Sequence, residues 1–226
     1  MFRTFIILFF FMPLFIKAQV DTNQPKKVKF SEDFRFTDGV FMNIEDVKRN
    51  NPIPKARIIT DVNYDDYSFF NKVLDGELFY VLDNMGQKQE LKVKDIWGFS
   101  QNGMLFVSWN SEFNRIPVFG SVCHFIADKT VIEDRNSPYY NNYNYYYNPY
   151  YYPNNQTVKK ELRQYLIDME TGKVMDYNYK NLEAVIVRDT ELYKEFVKMK
   201  NKKKRQLKFL YLRKYNERNP FYFIAN

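Results

Sequence analysis

Cysteine and histidine are nearly missing from this chain of 226 residues: Cys123 and His124 stand alone, side by side. One cysteine excludes a disulfide framework. A structural zinc site would have to recruit carboxylates for its remaining ligands, an uncommon donor set. Nucleophilic catalysis by serine or cysteine usually needs a histidine base, and neighbours on a strand point to opposite faces, so Cys123 and His124 cannot form a dyad. Cys123 is therefore expected to be a small buried residue of a strand. Glycine is also scarce, at seven residues, and neither a GxGxxG loop nor a P-loop occurs, nor does HExxH. The segment Asp61-Val62-Asn63-Tyr64-Asp65 opens like a calcium loop but lacks its glycine and distal glutamate. Acidic neighbours such as Glu32 with Asp33 and Asp65 with Asp66 are too common on surfaces to assign chemistry. No catalytic residue, metal or cofactor is expected on these grounds. Beyond the first twenty residues, no apolar run approaches the roughly 20 residues that a membrane-crossing helix requires.

What is abundant is apolar and aromatic: 45% of residues are hydrophobic and 19% aromatic, which excludes disorder of the whole chain. The N-terminus carries Arg3, the apolar run Phe5 to Ile16, and then Lys17, Ala18 and Gln19. That run is too short to span a bilayer and has the layout of a secretory signal peptide over residues 1–18. With no cysteine at the cleavage point, a lipoprotein is not expected. The mature chain is expected to be exported, periplasmic or extracellular, soluble or peripheral, with no transmembrane segment.

Loss of the leader lowers the net charge from +7 to +5, because Arg3 and Lys17 leave with it. Lys194 to Arg218 holds 11 basic residues against Glu195 and Glu217, so the rest of the mature chain is net acidic. The protein has one basic element.

Local signals place the elements. Residues 19–37 look like a flexible lead-in. Asn43, with Asp46 three residues on, caps a short helix Ile44 to Asn50, which Asn51-Pro52 ends. Arg57 to Tyr177 then predicts an antiparallel sheet of about five to seven strands. Its core is a hairpin around Asn102-Gly103, the dipeptide preferred in type I′ turns. That turn pairs Phe99 with Phe106 and Trp97 with Ser108, and places Trp97, Phe99, Met104 and Phe106 on one face. A second pair bends at Gly120, and a third flanks Glu170-Thr171-Gly172. Between them, Pro138 to Asn155 contains nine of the 19 tyrosines with only Asn and Pro beside them, a low-complexity insertion at about 136–157. Asp189 caps a helix within Thr190 to Tyr215, whose apolar residues Leu192, Phe196, Met199, Leu207, Leu210 and Tyr211 recur at helical spacing. Lys203 occupies a core-facing position, so a break is expected near Asn201 to Arg205, with Asn216 and Asn219-Pro220 ending the helix. The expected architecture is one α+β domain over 38–226: an antiparallel sheet or partly closed barrel, a short N-terminal helix, and a C-terminal basic helical segment.

The blocks DGVFMNIEDVKRNNP, DIWGFSQNGMLFV, RIPVFGSVCHFIAD, YLIDMETGKV and ELYKEFVKMKNKKKRQLKFLYLRKYNERNP, with the K-A-Q leader ending, resemble an uncharacterised family of exported proteins from Gram-negative bacteria of the Bacteroidetes type. The resemblance covers residues 38–132 and 159–223. It implies export and an α+β fold, and it carries no activity to transfer.

The functional expectation is an exported, non-enzymatic envelope protein that contacts a partner protein or anionic envelope material. Lys202, Lys203, Lys204, Arg205 and Lys208 are the candidate anionic contact, and nucleic acid is not an expected partner. The alternative is an exported hydrolase of polysaccharide or peptide acting through unidentified carboxylates.

Overall fold

The structure, a computed structural model, describes residues 26–134 and 156–224. The expected leader, and all but the last two residues of the Tyr/Asn-rich insertion, lie outside the described residues. The first elements are β1 (Lys27–Lys29), β2 (Gly39–Phe41), α1 (Ile44–Arg49), β3 (Ile53–Pro54), β4 (Ile58–Ile59) and α2 (Phe69–Val73). They are followed by β5 (Leu78–Leu82), β6 (Lys88–Lys92), β7 (Gly98–Gln101), β8 (Met104–Trp109) and β9 (Glu112–Arg115). The long strands β10 (Val122–Asp134) and β11 (Gln156–Asp168) lead to β12 (Val174–Asp176), α3 (Tyr179–Ile186), α4 (Thr190–Val197), α5 (Asn201–Arg218) and β13 (Tyr222–Ile224). The chain is α+β, with antiparallel sheets that do not close into a barrel. Their strand orders are β3-β2-β7-β8-β9, β4-β5-β6, β10-β11-β12 and β1-β13.

Local chemistry accounts for the best-defined ends and turns. The Asn43 side chain accepts a hydrogen bond from the Asp46 backbone N–H, and the Asp46 carboxylate accepts one from the Asn43 N–H, closing a capping box at the start of α1. Asn102 and Gly103 both have positive φ, 54° and 73°, and join β7 to β8 with Phe99 opposite Phe106, their rings stacked at 4.7 Å.

Four layers share three cores. One face of the five-stranded sheet, with Val40 and Phe99, packs on Phe69 and Phe70 of α2 and on Phe79 and Val81 of β5. Its other face, with Phe41, Leu105 and Val107, packs on Cys123, Phe125, Tyr165 and Ile167 of the β10–β11 ribbon. The opposite face at the ribbon's base, Val122 and Leu166, is covered by Leu182 and Ile186 of α3, Leu192 and Phe196 of α4, and Tyr211, Leu212 and Tyr215 of α5. The ribbon is therefore the wall between the sheet and the helices.

Several expectations need correction. Among the described residues, nine strands lie between Arg57 and Tyr177, because β4–β6 split off as a separate sheet and a further hairpin turns at Asn110-Ser111. The Trp97 carbonyl accepts a hydrogen bond from the Ser108 N–H at 2.8 Å, as the expected pairing requires, yet its side chain packs against the cluster that holds Leu105 and Val107, not the one that holds Phe99. It precedes β7, next to a 3-10 turn at Val93–Asp95, so strand alternation does not extend to it. The expected lead-in is bound from residue 27 onward: β1 pairs with β13, and Phe34 stacks on Phe223 at 4.0 Å. The bend at Gly120 is as expected, with Val118 bridged to His124 across it, and the glycine also permits close approach, since a Cβ there would meet the Asn216 side chain at 2.6 Å. The helical break falls between Val197 and Asn201, upstream of the basic run, and α5 continues through Asn216 to Arg218.

Candidate functional site

Side chains on a helix rotate by 100° per residue, so four consecutive cations must leave on different sides. Lys204 is the inward one, and is buried. Its Nζ lies 2.7 Å from Glu183 Oε2 on α3 and 5.4 Å from the ring centre of Phe196 on α4, which ties three helices together. Lys208 is half-buried: its Nζ donates to the Tyr177 carbonyl at 3.0 Å and sits 4.0 Å over the Tyr177 ring, and burial lowers its pKa. Lys202, Lys203 and Arg205 are exposed, with the Arg205 guanidinium 5.6 Å from the Tyr179 ring. The candidate set thus divides into an inner pair that holds the fold and an outer trio that faces solvent.

The outer side of α5 carries more than charge. Phe209 and Leu210 are 40% and 48% exposed, and the Arg213 guanidinium lies 5.7 Å from the Phe209 ring. Leu210, one of the residues recurring at helical spacing and expected to hold the helix to the body or to a partner, lies on the exposed side. Lys204, Lys214 and Arg218 have carboxylate partners in Glu183, Glu195, and Asp189 with Glu191. Among the described residues, no carboxylate lies within ion-pairing distance of Lys202, Lys203, Arg205 or Arg213.

This helix face adjoins the ribbon. β10 and β11 pair without interruption from Val122 opposite Asp168 to Asp134 opposite Gln156, whereas β12 covers only Tyr165 to Ile167. The period of two puts Ile126, Ile132, Val158 and Leu162 on one face, and they are 46%, 61%, 65% and 78% exposed. The same face carries His124, whose ring meets Phe209 edge-on at 6.0 Å. An interrupted apolar strip therefore runs along the ribbon into the outer face of α5. Sequence reasoning missed it, because alternating apolar residues on a strand ordinarily mark the buried side.

His124 and Cys123 diverge as expected. Cys123 packs among Phe125 and its neighbours, and burial pushes its thiol up to about 12. On the other face, His124 Nε2 lies 3.2 Å from Gln164 Oε1 with the Tyr177 ring at 4.9 Å. Burial lowers its pKa, so the imidazole is neutral near pH 7. In the calcium-like segment, the Asn63 side chain accepts from the Asp65 N–H, and Asp66 pairs with Lys72 at 2.5 Å. Among the described residues, no group of three His, Cys, Asp or Glu side chains is placed to hold a metal ion. A groove of about 880 Å³ beside β5, β6 and β9 is lined by Asp75, Glu77, Glu90 and Glu112 together with Lys92 and Lys94. Glu112 there is engaged by Lys160 at 2.9 Å.

The chain matches no protein-family model, no curated protein and no solved structure.

Among the described residues, no helix is long and apolar enough to cross a membrane.

Proposed function

We propose that the protein is an exported, non-enzymatic binding module of the cell envelope, and that the outer face of α5 is its contact surface. The observation that carries this is the set Lys202, Lys203, Arg205 and Arg213, solvent-facing and without carboxylate partners among the described residues, beside exposed Phe209 and Leu210. Paired charges such as Lys204 and Arg218 already spend their attraction inside the fold, whereas an unpaired cluster attracts external anions. The leader of residues 1–18 and the resemblance to exported proteins support an envelope address, where phosphate-bearing lipids, acidic glycans and acidic protein faces are the available polyanions. The alternative, an exported hydrolase, is supported by the carboxylate-lined groove beside β6 and β9.

Co-sedimentation of the mature chain with isolated Gram-negative envelopes tests the binding function. Binding at low salt should fade at physiological ionic strength, where screening acts within about 8 Å, and should be lost when Lys202, Lys203, Arg205 and Arg213 are all replaced by Gln. Binding that ignores both salt and these substitutions would remove α5 as the contact surface.

A further inference from the structure

Resting on that proposed function, we infer that the contact is with an anionic lipid bilayer, and that the apolar strip of the β10–β11 ribbon lies on the bilayer alongside α5. Two features of the surface select this partner.

The first is the juxtaposition of cations with apolar tips. Lys202, Lys203, Arg205 and Arg213 surround exposed Phe209 and Leu210 on one helix, and Phe209 touches His124 at the root of the ribbon. Interfacial binding to lipid combines these two components: cations meet headgroup phosphates, while aromatic and aliphatic side chains enter the boundary between headgroups and acyl chains. Glu217 is the acidic residue on this side of α5, so the positive sign dominates there.

The second is the way the strip is interrupted. Along the exposed ribbon face, Ile126 is opposite Gln164, Leu162 is opposite Asp128, Thr130 is opposite Lys160, and Ile132 is opposite Val158. From Ile126 to Ile132 the strand extends about 20 Å at 3.3 Å per residue. Polar side chains lie between the Ile126–Leu162 end of the strip and the Ile132–Val158 pair at its other end. A protein interface needs a packed, dehydrated centre, which Asp128, Thr130 and Lys160 would interrupt. A headgroup layer accepts such alternation, because each polar side chain stays hydrated while each apolar tip finds hydrocarbon.

The test uses the full mature chain with vesicles of phosphatidylcholine alone or with about one-third phosphatidylglycerol. Leu162→Trp supplies a reporter at an exposed position, read as the difference from wild type, whose Trp97 and Trp109 pack against the core. Sedimentation should show at least about tenfold stronger binding to the anionic vesicles, and the Leu162→Trp emission should shift to shorter wavelength only with them. Leu210→Ser combined with Leu162→Ser should weaken vesicle binding several-fold while leaving the melting temperature within about 2 °C of wild type, since both side chains are exposed. Binding to envelopes without binding to anionic vesicles would overturn the lipid assignment and leave a protein or glycan contact. Vesicle binding with no spectral shift and no loss in the double Ser variant would remove the ribbon from the contact. Failure to bind either vesicles or envelopes would overturn both this inference and the function it rests on.

Discussion

Lys204 should behave unlike every other lysine of the basic run, and the difference is large enough to measure. Replacing it by Ala removes the 2.7 Å ion pair with Glu183 and empties the space its stem fills between α3, α4 and α5. Breaking a fully buried pair costs about 3–5 kcal/mol, because one charge is left without compensation. Glu183 is half-buried and regains water, so the cost here falls below that range. Lost stem packing, at about 0.8 kcal/mol for each of the buried methylenes between Cβ and Nζ, brings the expected total to about 3–4 kcal/mol. For a chain of this size the melting temperature should fall by about 6–15 °C. Lys204→Met keeps most of the stem and should cost about 1–2 kcal/mol. Lys203→Ala, one residue away and solvent-facing, should stay within about 0.5 kcal/mol of wild type. Thermal melts and urea titrations with an unchanged m-value provide the comparison, and combining Lys204→Met with Glu183→Gln should cost less than the two single losses added together. Equal melting temperatures for Lys204→Ala and Lys203→Ala would refute the assignment of Lys204 to the helical core.

Three further outcomes follow from the packing. Asn216→Ala should cost about 2–3 kcal/mol in urea unfolding, because the Asn216 side chain accepts from the Val122 N–H at 2.9 Å and donates to the Val122 carbonyl at 2.8 Å, both groups belonging to a fully buried residue. Burial acts to raise the pKa of Asp168, but hydrogen bonds from Arg188 and Thr171 prevail and hold its carboxyl below the usual range. The stability it contributes is therefore present above the unfolded value near pH 4 and lost as pH falls through the lower folded value. Wild type should lose more urea resistance between pH 7 and pH 2 than Asp168→Asn does, and parallel losses would count against the pair. Ser111 has φ of 62° in the turn between β8 and β9, so Ser111→Gly should raise stability by about 0.5–1 kcal/mol, read from the urea midpoint.

Much of the fold was legible where a few neighbouring atoms decide it. The capping box at Asn43 and Asp46, the cap at Asp189, and the positive φ values at Asn102-Gly103 are local chemistry, and each is where the residues predict it. The errors come from contacts distant in sequence. Lys204 rather than Lys203 faces the core because Glu183, 21 residues upstream, receives its ammonium; spacing alone does not reveal such a partner. Asn216 looked like a helix stop, yet it continues α5 because its amide is used on the backbone of β10, 94 residues away. The α2 helix is too short for its periodicity to register, and α3 was missed although Asn178 caps it by accepting from the Lys180 and Asn181 N–H groups. The candidate surface was half visible: charge density located α5, but the exposure of Ile126, Ile132, Val158 and Leu162 depends on how far β10 and β11 outrun β12.

The most direct measurement compares envelope binding of two variants from the same basic run. Lys203→Gln with Arg205→Gln removes two outward charges, whereas Lys208→Met removes a charge held against the Tyr177 carbonyl and ring. If α5 binds anions through its outer face, the first variant should lose most of its low-salt sedimentation with envelopes and Lys208→Met should retain it. Equal losses in both variants, or full retention in the first, would contradict the outer face of α5 as the contact surface.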